Sequence, residues 1–182
     1  MEENWYTTFQ KLWIDYFFWI RYYIYSLMLD QSGLSCTASR ALRNADDFAE
    51  FFKQFYGEAT SERLAELLTQ HILILSEIAT TIKSGQDYSA IKESFYQNVN
   101  DIARLLADIN PYWDEETWRR LLYERYDIEE MLILRLNSRD FEGAATLYDY
   151  GYNVLQEIVS YMVEGLIRQF QLPLPTEQSL TS

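Results

Sequence analysis

Four residue types that shape or link many folds are scarce in this chain of 182 residues: one cysteine, three prolines, six glycines and one histidine. A lone Cys36 excludes an internal disulfide, which makes a reducing cytosol the expected compartment. So few glycines and prolines argue against many short strands joined by tight turns and favour long helices. A single histidine without thiolate partners argues against a structural zinc site, so no metal or cofactor is expected. Positive charge is short as well, with 15 Lys and Arg against 28 Asp and Glu, a net charge of −13. Nucleic-acid binding rests on neutralising phosphates, and anionic lipid attracts cations; neither partner suits this chain.

Long apolar runs are also missing. The best candidate for a membrane span, Leu12 to Leu29, carries Asp15, Arg21 and several tyrosines. A charge at mid-bilayer costs about 2.5–3.5 kcal/mol even on the lenient insertion scale, so a buried soluble helix is expected instead. No basic segment precedes an apolar run at the start, and no signal peptide is expected. Catalytic signatures are absent too: no glycine-rich phosphate loop, no G-x-S-x-G, and no Glu-x-x-His pair, since Leu68 stands three before His71.

What the chain does have is aromatic residues. Between Trp5 and Tyr25 stand eleven of them, including Trp13, Tyr16, Phe17, Phe18, Trp19 and Tyr22. A helix apolar nearly all round must be enclosed on most sides. The segment from Trp5 to Leu29 is therefore expected to be the central post of the fold. With 48% hydrophobic and 24% charged residues, the chain reads as one globular domain over 1–172, followed by a flexible tail over 173–182.

The remaining pattern predicts an all-α bundle of five or six helices. A short helix is expected from Leu34 to Arg43, with Asn44 capping a second one that ends before Gly57. Thr60 or Ser61 is expected to cap the next helix, whose inward row is Leu64, Leu67, Leu68, His71, Leu75, Ile78 and Ile82. Another follows from Tyr88 to Ile109, with Phe95, Asn98, Ile102 and Leu105 inward, and stops at Asn110-Pro111. Asp114 caps a helix from Glu115 to Leu136, with Trp118, Leu121, Leu122, Arg125, Ile128 and Leu132 inward. The last helix spans Phe141 to Phe170, with Tyr148, Tyr152, Leu155, Val159, Met162 and Leu166 inward. The segments 60–109 and 114–170 also resemble each other. At an offset of 54, Leu67, Leu68, Gln70 and His71 match Leu121, Leu122, Glu124 and Arg125, as two similar helical hairpins would.

Polar residues that break these apolar rows carry the functional information: Tyr16, His71, Asn98, Arg125 and Asp149. An unpaired charge in a dry core costs several kcal/mol, so an inward Arg125 must meet a carboxylate or reach solvent along its stem. Asp149, beside Tyr148 and Tyr152, is the first candidate partner; Asp15 and Glu129 are the next. The expectation is a buried cluster of His71, Arg125, Asp149 and Tyr16.

The run Trp13-x-x-Tyr16-x-x-Trp19-x-Arg21, the segment Leu67-Leu68-Thr69-Gln70-His71, and Asn110-Pro111-Tyr112-Trp113 with Trp118 resemble a family of small bacterial all-helical proteins. Such proteins are sometimes labelled acetylglutamate kinase. That activity implies an α/β sheet and glycine-rich phosphate loops, and this chain has the pattern of neither. The resemblance implies a bundle with a His and carboxylate cluster at its centre, of a kind that suggests a metal. This chain keeps His71, Glu124 and Asp149 there, but has Tyr16 and Arg125 where histidines often stand. A fixed cation in place of a neutral ligand works against binding a metal ion.

Three functional readings follow. The leading one is a non-enzymatic bundle acting through a homodimer or another protein partner, by way of the aromatic helix 5–29. Its sign would be an exposed aromatic patch. The alternative is a bundle that binds a small ligand or metal at the polar cluster of Tyr16, His71, Arg125, Asp149, Asn98 and Glu124. Its sign would be an enclosed cavity touching His71 and Arg125. The third is an enzyme in which Arg125 holds an anionic substrate and His71 moves a proton.

Overall fold

The computed structural model describes residues 5–173, and these form six helices with no strand among them. The helices are α1 (Trp5–Met28), α2 (Leu34–Tyr56), α3 (Glu58–Lys83), α4 (Ser89–Ile109), α5 (Glu115–Asn137) and α6 (Phe141–Phe170). Nearly all of the expected tail over 173–182 lies outside the described residues. None of the described helices is long and apolar enough to cross a membrane.

Several helix boundaries have a local cause. Asp114 accepts a hydrogen bond from the Thr117 amide at 2.8 Å, and Asp140 does the same for Gly143 at 2.9 Å. Both carboxylates also sit at the positive end of a helix dipole. Between α2 and α3 only Gly57 intervenes, at φ 78° and ψ 174°. That positive φ is open to glycine at little cost, and it lets one helix stop and the next begin within a single residue.

Two expected boundaries are corrected. The α2 helix is continuous from Leu34 to Tyr56, and Asn44 lies buried in its middle. Its Oδ1 accepts a hydrogen bond from Arg40 Nη1 at 2.5 Å, so the side chain that looked like a cap is held by a cation one turn earlier. Asp47, one turn after Arg43, faces Arg40 and Arg43 at 3.5 and 3.6 Å. Likewise α3 begins at Glu58, and Ser61 bonds back to the Gly57 carbonyl rather than capping.

One continuous hydrophobic core runs through the bundle and takes side chains from every helix. The α1 helix packs against α2, α3, α5 and α6. Its buried face carries Phe9, Trp13, Tyr16, Phe17, Ile20, Ile24 and Leu27. Rings there meet edge to face, as Trp13 and Phe48 do at 5.0 Å between centroids. The helix is not enclosed on all sides, however. Ile14, Phe18 and Tyr22, spaced four apart, are 51%, 54% and 43% exposed.

The inward row of α6 also differs from expectation. Tyr148 and Tyr152 are exposed, and Ala144, Gly151, Val154 and Ile158 face the core. Small residues let α6 approach α1 and α5 closely. A methyl group on Gly151 would stand 3.2 Å from the Phe17 ring and 3.4 Å from Ile128. The two tyrosines instead flank that approach, stacked on each other and leaning on Phe17. Farther along α6, Gly165 leaves the space that the Trp113 indole occupies.

Candidate functional site

The buried polar cluster forms where α1, α3 and α5 come together. Arg125 and Glu129 lie one turn apart on α5, and Nη2 of the arginine stands 2.8 Å from Oε1 of the glutamate. From α3, His71 Nε2 reaches the other oxygen, Oε2, at 3.2 Å. All three side chains are less than one-tenth exposed. The Arg125 guanidinium also lies over two rings of α1, 4.9 Å from the centroid of Phe17 and 6.0 Å from that of Tyr16. Such stacking offsets part of the desolvation of a buried cation.

The electrostatics are consistent with one shared negative charge. Burial by itself would raise the Glu129 carboxyl, but the Arg125 guanidinium and the His71 hydrogen bond outweigh it and hold the group below its ordinary range. Burial and the Glu129 charge push the Tyr16 hydroxyl well up, against a smaller opposing effect of Arg125. Since an ionised Glu129 only accepts, His71 Nε2 carries the hydrogen of this contact. In the neutral ring Nδ1 is then a bare acceptor, and it has no hydrogen-bond partner.

The six residues singled out from the sequence are placed as follows. Tyr16, His71 and Arg125 converge. Asn98 is buried one helix away, and its Nδ2 donates to the Leu67 carbonyl at 3.0 Å. Glu124 sits at the surface, accepting from the Tyr150 hydroxyl at 2.6 Å and facing Arg120. Asp149 is exposed and stands outside the cluster, which corrects its expected role as partner of Arg125. The rotation of α6 that turns Tyr148 and Tyr152 outward turns Asp149 outward with them. Glu129 takes its place, and its position one turn after Arg125 was the sequence signal for it. Asp15, the other candidate, pairs with Arg40 at 3.3 Å.

Beside the cluster lies a cavity of about 40 Å³ that is lined by all six helices. A single water needs roughly 10–15 Å³, so this space corresponds to about three waters. His71, Arg125 and Tyr16 contribute to its wall, together with Trp13 and Trp118. The rest is apolar: Phe48, Phe52, Leu64, Leu68, Val99, Ile102, Leu106, Leu122, Ile158 and Met162. Trp118 and Arg125 are two turns apart on α5, so the lining extends about 10 Å along the bundle. Three of these wall residues carry a buried polar atom without a hydrogen-bond partner: Nε1 of Trp13, Nε1 of Trp118 and Nδ1 of His71. Buried polar groups are nearly always paired; among the described residues five further unpaired atoms lie on residues outside this wall.

Among the described residues no three His, Cys, Asp or Glu side chains come together as a metal site. Comparison with protein-family models, with curated proteins and with solved structures found no match for this chain.

Proposed function

We propose that this bundle binds a small, mostly apolar ligand in its central cavity, with the His71–Glu129–Arg125 cluster as the polar end of the site. One observation carries the reading: the cavity wall includes His71 and Arg125 of that cluster, and three wall residues carry a buried polar atom with no partner among the described residues. Ligand pockets in general combine an apolar lining with a few placed polar groups. The volume suits a molecule of three to five non-hydrogen atoms. Calorimetric titration with small alcohols, amides and carboxylates tests the proposal. Saturable 1:1 binding that is lost on filling the cavity supports it; absence of binding by every class sinks it.

A second reading, assembly through α1, is favoured by the exposed row of Ile14, Phe18 and Tyr22. An aromatic side chain offers roughly 150–250 Å² in all. Three residues about half exposed therefore present a patch of roughly 300 Å², at the low end of the largest patches on ordinary monomers. That area alone is well short of the ~800 Å² per partner of a standard stable interface. The ligand reading is accordingly preferred, and an enzymatic role has no observation that favours it.

A further inference from the structure

We infer that the ligand of the central cavity is a short-chain monocarboxylic acid, taken up in its neutral form and held with its acid group at His71; this rests on the cavity reading above. The argument is one of complementary hydrogen bonding. The residues of the cavity wall offer one bare acceptor, His71 Nδ1, and two unused donors, the indole N–H groups of Trp13 and Trp118. A ligand that satisfies the acceptor and a donor must itself both donate and accept. A protonated carboxyl does this, with its O–H directed to Nδ1 and its carbonyl oxygen free for an N–H. The apolar residues between Arg125 and Trp118 then suit a tail of two or three carbons.

Charge supports the same choice. The Arg125–Glu129 pair is neutral as a unit. An anion entering beside it would bury an uncompensated charge, at a cost of several kcal/mol. A neutral acid brings no net charge. Once bound, its proton passes from the carboxyl oxygen to Nδ1: the O–H bond breaks, an N–H bond forms, and a carboxylate faces an imidazolium. That imidazolium stands between two carboxylates, the ligand's and that of Glu129, with Arg125 on the far side of Glu129. The sum stays zero. The ionisable groups around His71 are Glu129 and Arg125 from α5 and Tyr16 from α1, while α4 places Phe95 against the ring at 4.5 Å.

The experiment is calorimetric titration of the full chain with sodium propionate at pH 6, 7 and 8, alongside propionamide and 1-propanol as neutral probes of the same size. Propionate is expected to bind 1:1, with net proton uptake as read from buffers of different ionisation enthalpy. Its apparent affinity should fall as the pH rises from 6 to 8, because the complex holds more protons than protein and propionate ion apart. The neutral probes should bind at least tenfold more weakly at pH 6, with no pH dependence. Propionamide or propanol binding as tightly as propionate would overturn the acid assignment and leave the cavity reading standing. No binding by any of the three would sink both, and the cavity would then hold water only. His71→Gln keeps an N–H for Glu129 but has no basic atom. It should fold, lose the proton uptake and bind propionate at least tenfold more weakly, and unchanged proton uptake in this variant would overturn the role of Nδ1. The wild-type proton count decides the acid assignment even if the variant does not fold.

Discussion

His71 Nε2 donates to Oε2 of Glu129 at 3.2 Å, joining α3 to α5 through a carboxylate from which both side chains exclude water. The same carboxylate neutralises Arg125 at 2.8 Å. An arginine that would otherwise be an isolated charge in the core is thereby tolerated, while Nδ1 on the far side of the imidazole has no partner among the described residues.

Removing the carboxylate should expose that dependence. Glu129→Gln leaves Arg125 charged, buried and unpaired, a change that costs about 3–5 kcal/mol in comparable sites. Replacing both residues, as Arg125→Met with Glu129→Gln, should cost clearly less than the sum of the single changes. Urea denaturation of the three variants checks this. Additive losses would mean that the two side chains do not act as a pair.

The pair also sets an acid limit. Glu129 is held below its ordinary value of 4.5, so beneath that value the folded state binds fewer protons at this site than the unfolded state. Its contribution is fully present above about pH 4.5 and lost as the pH falls through the lower folded value. The slope of stability against pH in that acid window should be visibly smaller in the Arg125→Met, Glu129→Gln double variant. Denaturant titrations between pH 3 and 6 measure it.

Filling the cavity should separate stability from binding. Val99 is fully buried and lines the space. Val99→Ile adds one methylene-sized group, worth up to about 1 kcal/mol if it packs without strain. The variant is expected to melt at the same temperature or slightly higher and to bind small ligands several-fold more weakly.

At Gly165 the effect should go the other way. A Cβ there overlaps the Trp113 indole, whose Nε1 donates to the Tyr161 carbonyl on the same helix at 3.3 Å. Gly165→Ala would gain helix propensity but must displace a buried ring, and overpacking of this kind costs about 1–3 kcal/mol. A fall of several degrees in the melting temperature is expected. An unchanged melt would show that Trp113 can move at no cost.

The exposed aromatic row makes a prediction about assembly. Phe18→Ser with Tyr22→Ser removes apolar surface that is already about half in water, so stability should change by less than about 1 kcal/mol. Sedimentation of the wild type and this variant tests the second reading. If the wild type is dimeric and the variant monomeric, the row is the interface; if both sediment alike, it is not.

Much of the architecture was legible before any coordinates. The periodic placement of Leu, Ile and Phe, the Asp114 cap, and the stop at Asn110-Pro111 are local signals, and hydrophobic period and capping chemistry act within a turn or two of chain. The all-α fold, the inward faces of α3 and α5, and the burial of Tyr16, His71 and Arg125 follow from that. Three matters did not follow, because each depends on how helices approach one another. The continuity of α2 through Asn44 goes with that residue's burial in the bundle, where Arg40, itself paired with Asp15 of α1, holds its side chain. The face of α6 that turns inward was decided by close approach at Ala144 and Gly151, where small residues win over the larger rings of Tyr148 and Tyr152. That rotation removed Asp149 from the site and left Glu129 as the carboxylate. The cavity, too, is a remainder of six helices meeting around large rings that do not fill the space between them. Sequence alone therefore determined the inward faces of α3 and α5 and which polar groups there are forced to find partners. Only the tertiary packing decided which partners they found, and which three atoms around the cavity were left with none.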